Sequence, residues 1–170
     1  GLMIQKIDSR TGQANPSLVG AEFTIKFYAG QYADGIDPAS QGVQPTRTWV
    51  LRTDDDGFIY LADNFKVGGD GFYRQTDGTP TLPMGTVTMQ ETKAPDGYKI
   101  NPQVFVANIK SGAGATGTVT YQTPTIQEDS LDFQIKKVQK YSDIPLPGTK
   151  FRHTKPDGST EELVTGADGY

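Results

Sequence analysis

The sequence contains no cysteine and one histidine, His153. Disulfides, cysteine–metal sites and thiol nucleophiles are excluded together, as is any metal site built from several histidines. No apolar run approaches the roughly 18–20 residues that cross a bilayer as a helix. No charge of one sign dominates. With 16 basic and 20 acidic residues the net charge is −4, and no Lys/Arg cluster offers a track for a phosphate backbone, so no nucleic-acid partner is expected. No stretch has the form of a signal peptide, and the chain reads as a segment of a longer protein. No window of helical length keeps a 3.6-residue period.

Turns and alternation are what the sequence has in quantity. Its 20 glycines and 11 prolines favour many short connections over long helices. Apolar residues alternate with polar ones in Phe23-Thr24-Ile25-Lys26-Phe27, Trp49-Val50-Leu51, Val87-Thr88-Met89, Val104-Phe105-Val106 and Phe133-Gln134-Ile135, as half-buried strands require. Asp-Gly pairs at Asp56-Gly57, Asp77-Gly78, Asp96-Gly97, Asp157-Gly158 and Asp168-Gly169 separate them. Many short strands with such turns predict an all-β sandwich or barrel.

The chain also repeats itself weakly. Ile4-Gln5-Lys6-Ile7-Asp8 matches Ile135-Lys136-Lys137-Val138-Gln139. Leu18-Val19-Gly20-Ala21-Glu22-Phe23 matches Leu146-Pro147-Gly148-Thr149-Lys150-Phe151, and Thr53-Asp54-Asp55-Asp56-Gly57-Phe58 matches Thr165-Gly166-Ala167-Asp168-Gly169-Tyr170. The offset falls from 131 (137 − 6) to 112 (169 − 57), so the first copy carries longer loops, with an insertion expected at residues 30–47. The reading is a first domain over residues 2–129 and the start of a second, incomplete repeat over 130–170.

Three of these segments, in order, carry a family resemblance. They are Ile4-Gln5-Lys6-Ile7-Asp8 with Leu18-Val19-Gly20-Ala21-Glu22-Phe23, then Thr53-Asp54-Asp55-Asp56-Gly57, then Met89-Gln90-Glu91-Thr92-Lys93-Ala94-Pro95-Asp96-Gly97-Tyr98. The chain resembles the Cna protein B-type (SpaA-like) domain of Gram-positive surface adhesins and pilins, most specifically through the E-T-x-A-P-x-G-Y run of the third segment. The resemblance implies a reverse immunoglobulin-like β-sandwich serving as a stalk module of a cell-wall-anchored, extracellular surface protein. Many such domains form an internal Lys–Asn or Lys–Asp amide bond beside a buried acid. By resemblance the lysine is Lys6, the acid Glu91 and the second-repeat lysine Lys137.

The residue pattern is compatible with these roles. Ile4 and Lys6 lie on one strand face, and Val87, Met89 and Glu91 on another, so opposite charges are aimed at a core. Burial disfavours charged forms, a neutral lysine is a nucleophile, and a protonated glutamate can assist acyl transfer. The amide partner is open. The last strand holds no Asn. Asp129 is the choice by position, although Ile126 and Glu128 share a face and Asp129 falls on the other; Asn108 has the right parity but sits one strand early. Without a bond, Lys6 and Glu91 form a buried ion pair, or Lys6 reaches solvent.

Other signals carry less. Gly112-Ala113-Gly114-Ala115-Thr116-Gly117 fits G-x-G-x-x-G, but a strand rather than a helix follows, so it reads as a hairpin loop. Asp54-Asp55-Asp56-Gly57 lacks calcium-loop spacing and reads as a turn. His153 and Ser159 have no evident oxyanion loop near them. Tyr32, Phe72 and Tyr73 are candidates for ligand contact. No cofactor, metal site, membrane insertion or turnover enzyme activity is expected, at most a single autocatalytic amide formation. Partners are neighbouring modules of the same surface protein. The rival reading is an adhesin tip domain that contacts host matrix protein or glycan through its inserted loops.

Overall fold

The computed structural model describes residues 2–111, 119–120, 124–130, 134–155 and 158–170. The glycine-rich segment 112–117, Phe133 and Asp157 lie outside them. The chain forms two compact units, Gly1–Ser130 and Leu131–Tyr170. Both are β-structured, and the helical turns among the described residues are three 3-10 turns in unit 1. Among the described residues, no helix is long and apolar enough to cross a membrane.

Unit 1 contains β1 (Leu2–Asp8), β2 (Glu22–Tyr28), β3 (Arg47–Arg52), β4 (Phe58–Tyr60), β5 (Lys66–Gly69), β6 (Tyr73–Arg74), β7 (Pro80–Thr81), β8 (Gly85–Lys93), β9 (Val104–Ser111), β10 (Val119–Thr120) and β11 (Thr125–Glu128). They make a three-stranded sheet ordered β11-β1-β4 and a six-stranded sheet ordered β10-β9-β8-β2-β3-β5; β6 and β7 form a separate ribbon. β1 runs antiparallel to β4 and parallel to β11, so the first and last strands lie side by side. The segment at 30–47 connects β2 to β3 and contains the 3-10 turn Pro38–Gln41, capped by the Asp37 carboxylate.

Alternation decides which side chains fill the space between the sheets. Phe23, Ile25 and Phe27 of β2, Trp49 and Leu51 of β3, and Val87 and Met89 of β8 are buried in one cluster. Met3 and Ile4 of β1, Ile59 of β4 and Ile126 of β11 close it from the other sheet. Each such side chain contributes on the order of 1.5–3 kcal/mol by leaving water. Tight backbone approach fixes where β8 begins. A Cβ on Gly85 would stand 2.4 Å from the Tyr28 carbonyl oxygen and 2.7 Å from the Phe27 ring.

Unit 2 contains β12 (Lys150–Thr154) and β13 (Thr160–Val164), an antiparallel pair in which Phe151 faces Leu163. Residues 134–139 run beside Gly169 through the bond from Lys137 N–H to the Gly169 carbonyl, 2.8 Å.

Gly85→Ala is expected to destabilise unit 1 by about 1–3 kcal/mol, because a Cβ has no room there. Chemical denaturation followed by Trp49 fluorescence measures it.

Candidate functional site: a buried lysine between two acids

The centre of interest in unit 1 is charged rather than open. Lys6 is in β1, and its side chain is 0% exposed. It points inward because it shares parity with Ile4, and its ammonium lies 5.1 Å from the centre of the Phe23 ring. In the facing sheet Phe23 pairs with Glu91 of β8. The β2–β8 ladder shifts register between Glu22 and Phe23, so Glu91 keeps the inward parity of Val87 and Met89 while Thr92 and Lys93 are exposed. The Lys6 Nζ donates to Glu91 Oε1, and both side chains are fully enclosed. The second Glu91 oxygen accepts the backbone N–H of Asn101 at 2.7 Å.

A third group completes the cluster. Glu128 of β11 is 0% exposed, and its Oε1 lies 2.8 Å from Lys6 Nζ. In the parallel β1–β11 ladder Lys6 pairs with Ile126 and Asp8 with Glu128, which puts Glu128 diagonally across from Lys6 on the inward face. Neither Glu128 oxygen accepts a well-aligned hydrogen bond among the described residues, so this contact is ionic rather than a directed bond. Burial pushes the Glu128 carboxyl up to about 6. Lys6 opposes that rise, and the neighbouring Glu91 adds to it. Two carboxyls sharing one ammonium in a dry space leave the second acid inclined to hold its proton.

Neighbouring contacts lock the cluster's surroundings. The Tyr98 hydroxyl donates to Asp8 Oδ2 at 2.8 Å, while Asp8 Oδ1 accepts the backbone N–H groups of Arg10 and Thr11. Above all the Tyr98 hydroxyl, then these backbone groups, hold the Asp8 carboxyl below its ordinary range. The Lys99 N–H donates to the Asp129 carbonyl at 2.7 Å. Thus the run from Glu91 to Tyr98 reaches the first strand twice, through Lys6 and through Asp8.

The other sequence candidates stand elsewhere. The Asp129 side chain is exposed on the opposite face of its strand, so Glu128, not Asp129, is the carboxyl beside Lys6. Asn108 is engaged at another place: its amide bonds Thr86, the Tyr32 carbonyl and Asp34. Glu128 was the residue sequence reasoning missed. Its parity with Ile126 is readable in the sequence, but the resemblance implies an Asn or Asp, and Glu128 is one methylene longer than Asp. Phe72 is 6% exposed and packs on Trp49. Tyr73 packs against Phe27 and Trp49, with the Arg47 guanidinium 3.7 Å above its ring. Tyr32 is half-buried against Tyr28. Asp54 accepts the N–H groups of Asp56 and Phe58, which makes its segment a capped turn. In unit 2 Lys137 is exposed, and His153 contacts Glu161 at 2.9 Å. Among the described residues, no group of three His, Asp or Glu side chains is arranged to hold a metal ion.

The family profile described as "SpaA: Prealbumin-like fold domain" matches residues 1–124. The chain belongs to the SpaA family of prealbumin-like domains. The SpaA match takes in Lys6 and Glu91 and stops just before β11. No curated protein matches the chain. Solved structures to which the chain is similar at low identity include the following two. "The Bacillus anthracis TIE protein" is 21% identical with a TM-score of 0.45, over 98% of this chain and 24% of that one. "Crystal structure of group B streptococcus pilus 2b backbone protein" is 23% identical with a TM-score of 0.42, over 76% of this chain and 41% of that one. The chain therefore spans about a quarter and two-fifths of those molecules.

Removing the cation alone leaves two enclosed carboxyls facing each other. Lys6→Met is expected to lower the unfolding free energy by about 3–5 kcal/mol. The triple variant Lys6→Met/Glu91→Gln/Glu128→Leu should recover much of that loss, as denaturant titration of the three proteins will read.

Proposed function

We propose that unit 1 is a load-bearing stalk module of a bacterial surface protein, and that its first and last strands become joined by an amide between Lys6 and Glu128. The observation that carries this reading is the 2.8 Å approach of Lys6 Nζ to Glu128 Oε1 across the β1–β11 pair, with Glu91 on the other side of the same nitrogen. Membership of the SpaA family supports the stalk role. So does the absence of cysteine, which leaves disulfides unavailable as a source of strength.

The chemistry follows from placement. Neutral Lys6 Nζ attacks Cδ of protonated Glu128. The N–C bond forms, one Cδ–O bond breaks, and the oxygen departs as water. Glu91 takes the proton from Nζ and delivers it to the departing hydroxyl. Enclosure holds the groups in contact, so effective concentration replaces external activation of the acid. The reaction happens once, as the strands come together. The bond closes a loop of 122 residues (128 − 6), worth roughly 5 kcal/mol in chain entropy. Tension entering at β1 and leaving at β11 then passes through the amide and bypasses the strands between them.

The tip-domain reading asks for free aromatic faces on the inserted loops. Phe72 and Tyr73 are instead occupied by Trp49, Phe27 and Arg47, which favours the stalk.

Intact-mass spectrometry tests the bond. The folded chain should weigh about 18 Da less than its sequence, the loss of one water in the condensation. Lys6→Ala, Glu128→Ala and Glu91→Ala should restore the full mass, Asp129→Ala should leave the loss in place, and Glu128→Gln should lose about 17 Da as ammonia instead. An unmodified wild-type mass removes the amide and leaves the stalk reading standing.

The pH dependence follows from the proton count. The reacting set, a neutral amine at Lys6, a protonated Glu128 and a Glu91 carboxylate, holds as many protons as an ammonium between two carboxylates. Uptake of a further proton by Glu128 below about 6 takes the cluster away from that set. Bond formation after refolding should be slower at about pH 5 than at about pH 8, as a time course of intact mass will show.

A further inference from the structure

Two acids touch the same nitrogen, and reach alone does not choose between them. Lys6 Nζ donates to Glu91 Oε1 and lies 2.8 Å from Glu128 Oε1. Their hydrogen bonding differs. Both Glu91 oxygens are engaged, Oε1 by Lys6 and Oε2 by the backbone N–H of Asn101 at 2.7 Å. Among the described residues neither Glu128 oxygen accepts a well-aligned hydrogen bond, although that side chain is 0% exposed.

Local sequence aims the Asn101 N–H. Pro95-Asp96-Gly97-Tyr98 turns the chain: Tyr98 N–H donates to the Pro95 carbonyl at 3.1 Å, and Gly97 has a φ of 84°. The chain then returns along the edge of β11 that faces away from β1. Tyr98 bridges Ser130 in antiparallel fashion, Lys99 N–H reaches the Asp129 carbonyl at 2.7 Å, and Asn101 Nδ2 reaches the Gln127 carbonyl at 3.5 Å. At Asn101 the side chain folds over the next residue, and its Oδ1 accepts the Gln103 N–H at 3.0 Å. Pro102 between them has no N–H to compete. Such a side-chain turn fixes the backbone at its first residue. Gln90 Nε2 holds the Pro102 carbonyl at 3.2 Å and ties the turn to β8. The Asn101 N–H is thereby directed at Glu91, ten residues earlier.

We infer that the backbone N–H of Asn101 selects which glutamate is acylated, and that Asn101 is the positioning residue that aims it; this rests on the Lys6–Glu128 amide proposed above. For Nζ to attack Glu91, that carboxyl must turn its Cδ toward the nitrogen. The turn breaks the bonds at both oxygens inside an enclosed space. Glu128 turns with no hydrogen bond to lose. Donors at both oxygens also suit an acid to the role of the carboxylate that takes up a proton. The N–C bond therefore forms at Glu128 Cδ, one Cδ–O bond of Glu128 breaks, and Glu91 passes the proton of the amine to the departing water. Without the N–H, the two acids exchange roles in part of the molecules. There the N–C bond forms at Glu91 Cδ, water leaves from Glu91, and Glu128 carries the proton.

The test uses the full chain, refolded and then digested, with tandem mass spectrometry locating the branch point. Wild type should carry the branch at Glu128. Asn101→Pro removes the N–H and should raise the Lys6–Glu91 share of the product by about tenfold or more. Both products weigh about 18 Da less than the sequence, so only the position of the branch reports the choice, and a general loosening of the fold does not move it. Ile100→Ala, at a neighbouring side chain that is 51% exposed, should keep the branch at Glu128. Where Asn101→Pro does not fold, Asn101→Ala keeps the N–H, frees the turn that aims it, and should move the branch the same way by a smaller share. A wild-type branch at Glu91 overturns the inference. So does a branch wholly at Glu128 in the folded Asn101→Pro protein, or in Asn101→Ala where the proline variant fails to fold; either of these leaves the amide with Glu128 standing. An unmodified wild-type mass overturns the amide and the selection together.

Discussion

A lysine amine enclosed between two carboxyls, with all three side chains shut off from the surface, is the constraint around which unit 1 is arranged. A lone charge in that space would cost several kcal/mol. Lys6 therefore has to be met from both sides, and the groups that meet it come from positions 91 and 128, far along the chain. Satisfying it requires β8 to end on an inward acid, the two sheets to close over Phe23, and β11 to run beside β1 in one register. A one-residue slip of β11 would replace Glu128 by Asp129 or Gln127 and turn the inward row to solvent. The cluster thus specifies strand order as well as contributing chemistry.

The same constraint gives the segment following β8 its physical meaning. Glu91 supplies the inward charge. Asn101 N–H holds the far oxygen of that acid, and the Tyr98 hydroxyl fastens the turn to Asp8 at the end of β1. The Ala-Pro-Asp-Gly stretch between them turns the chain back so that one short run touches the first strand at two points.

Much of this was legible from period-2 alternation, because parity alone decides which face a side chain takes. It put Phe23, Ile25, Trp49, Leu51, Val87 and Met89 in the core, and it aimed Lys6 and Glu91 inward. Asp-Gly pairs marked turns for an equally local reason. Glu128 was not legible although its parity was, since a buried glutamate at a strand end looks like a solvated one until the opposing lysine is placed. The enclosure of Phe72 and the stacking of Arg47 on Tyr73 were not legible at all. They depend on how the chain between β5 and β7 folds over the open side of Trp49, a long-range packing outcome with no sequence period.

The parallel course of β1 and β11 has a mechanical consequence of its own. In an antiparallel pair joined by a tight turn, both free ends leave from the same side, and a pull peels the rungs away one after another. In this parallel pair the start of β1 and the finish of β11 are at opposite ends, so a pull slides one strand along the other. Sliding loads every rung simultaneously, and the ladder gives way only when all of them fail together.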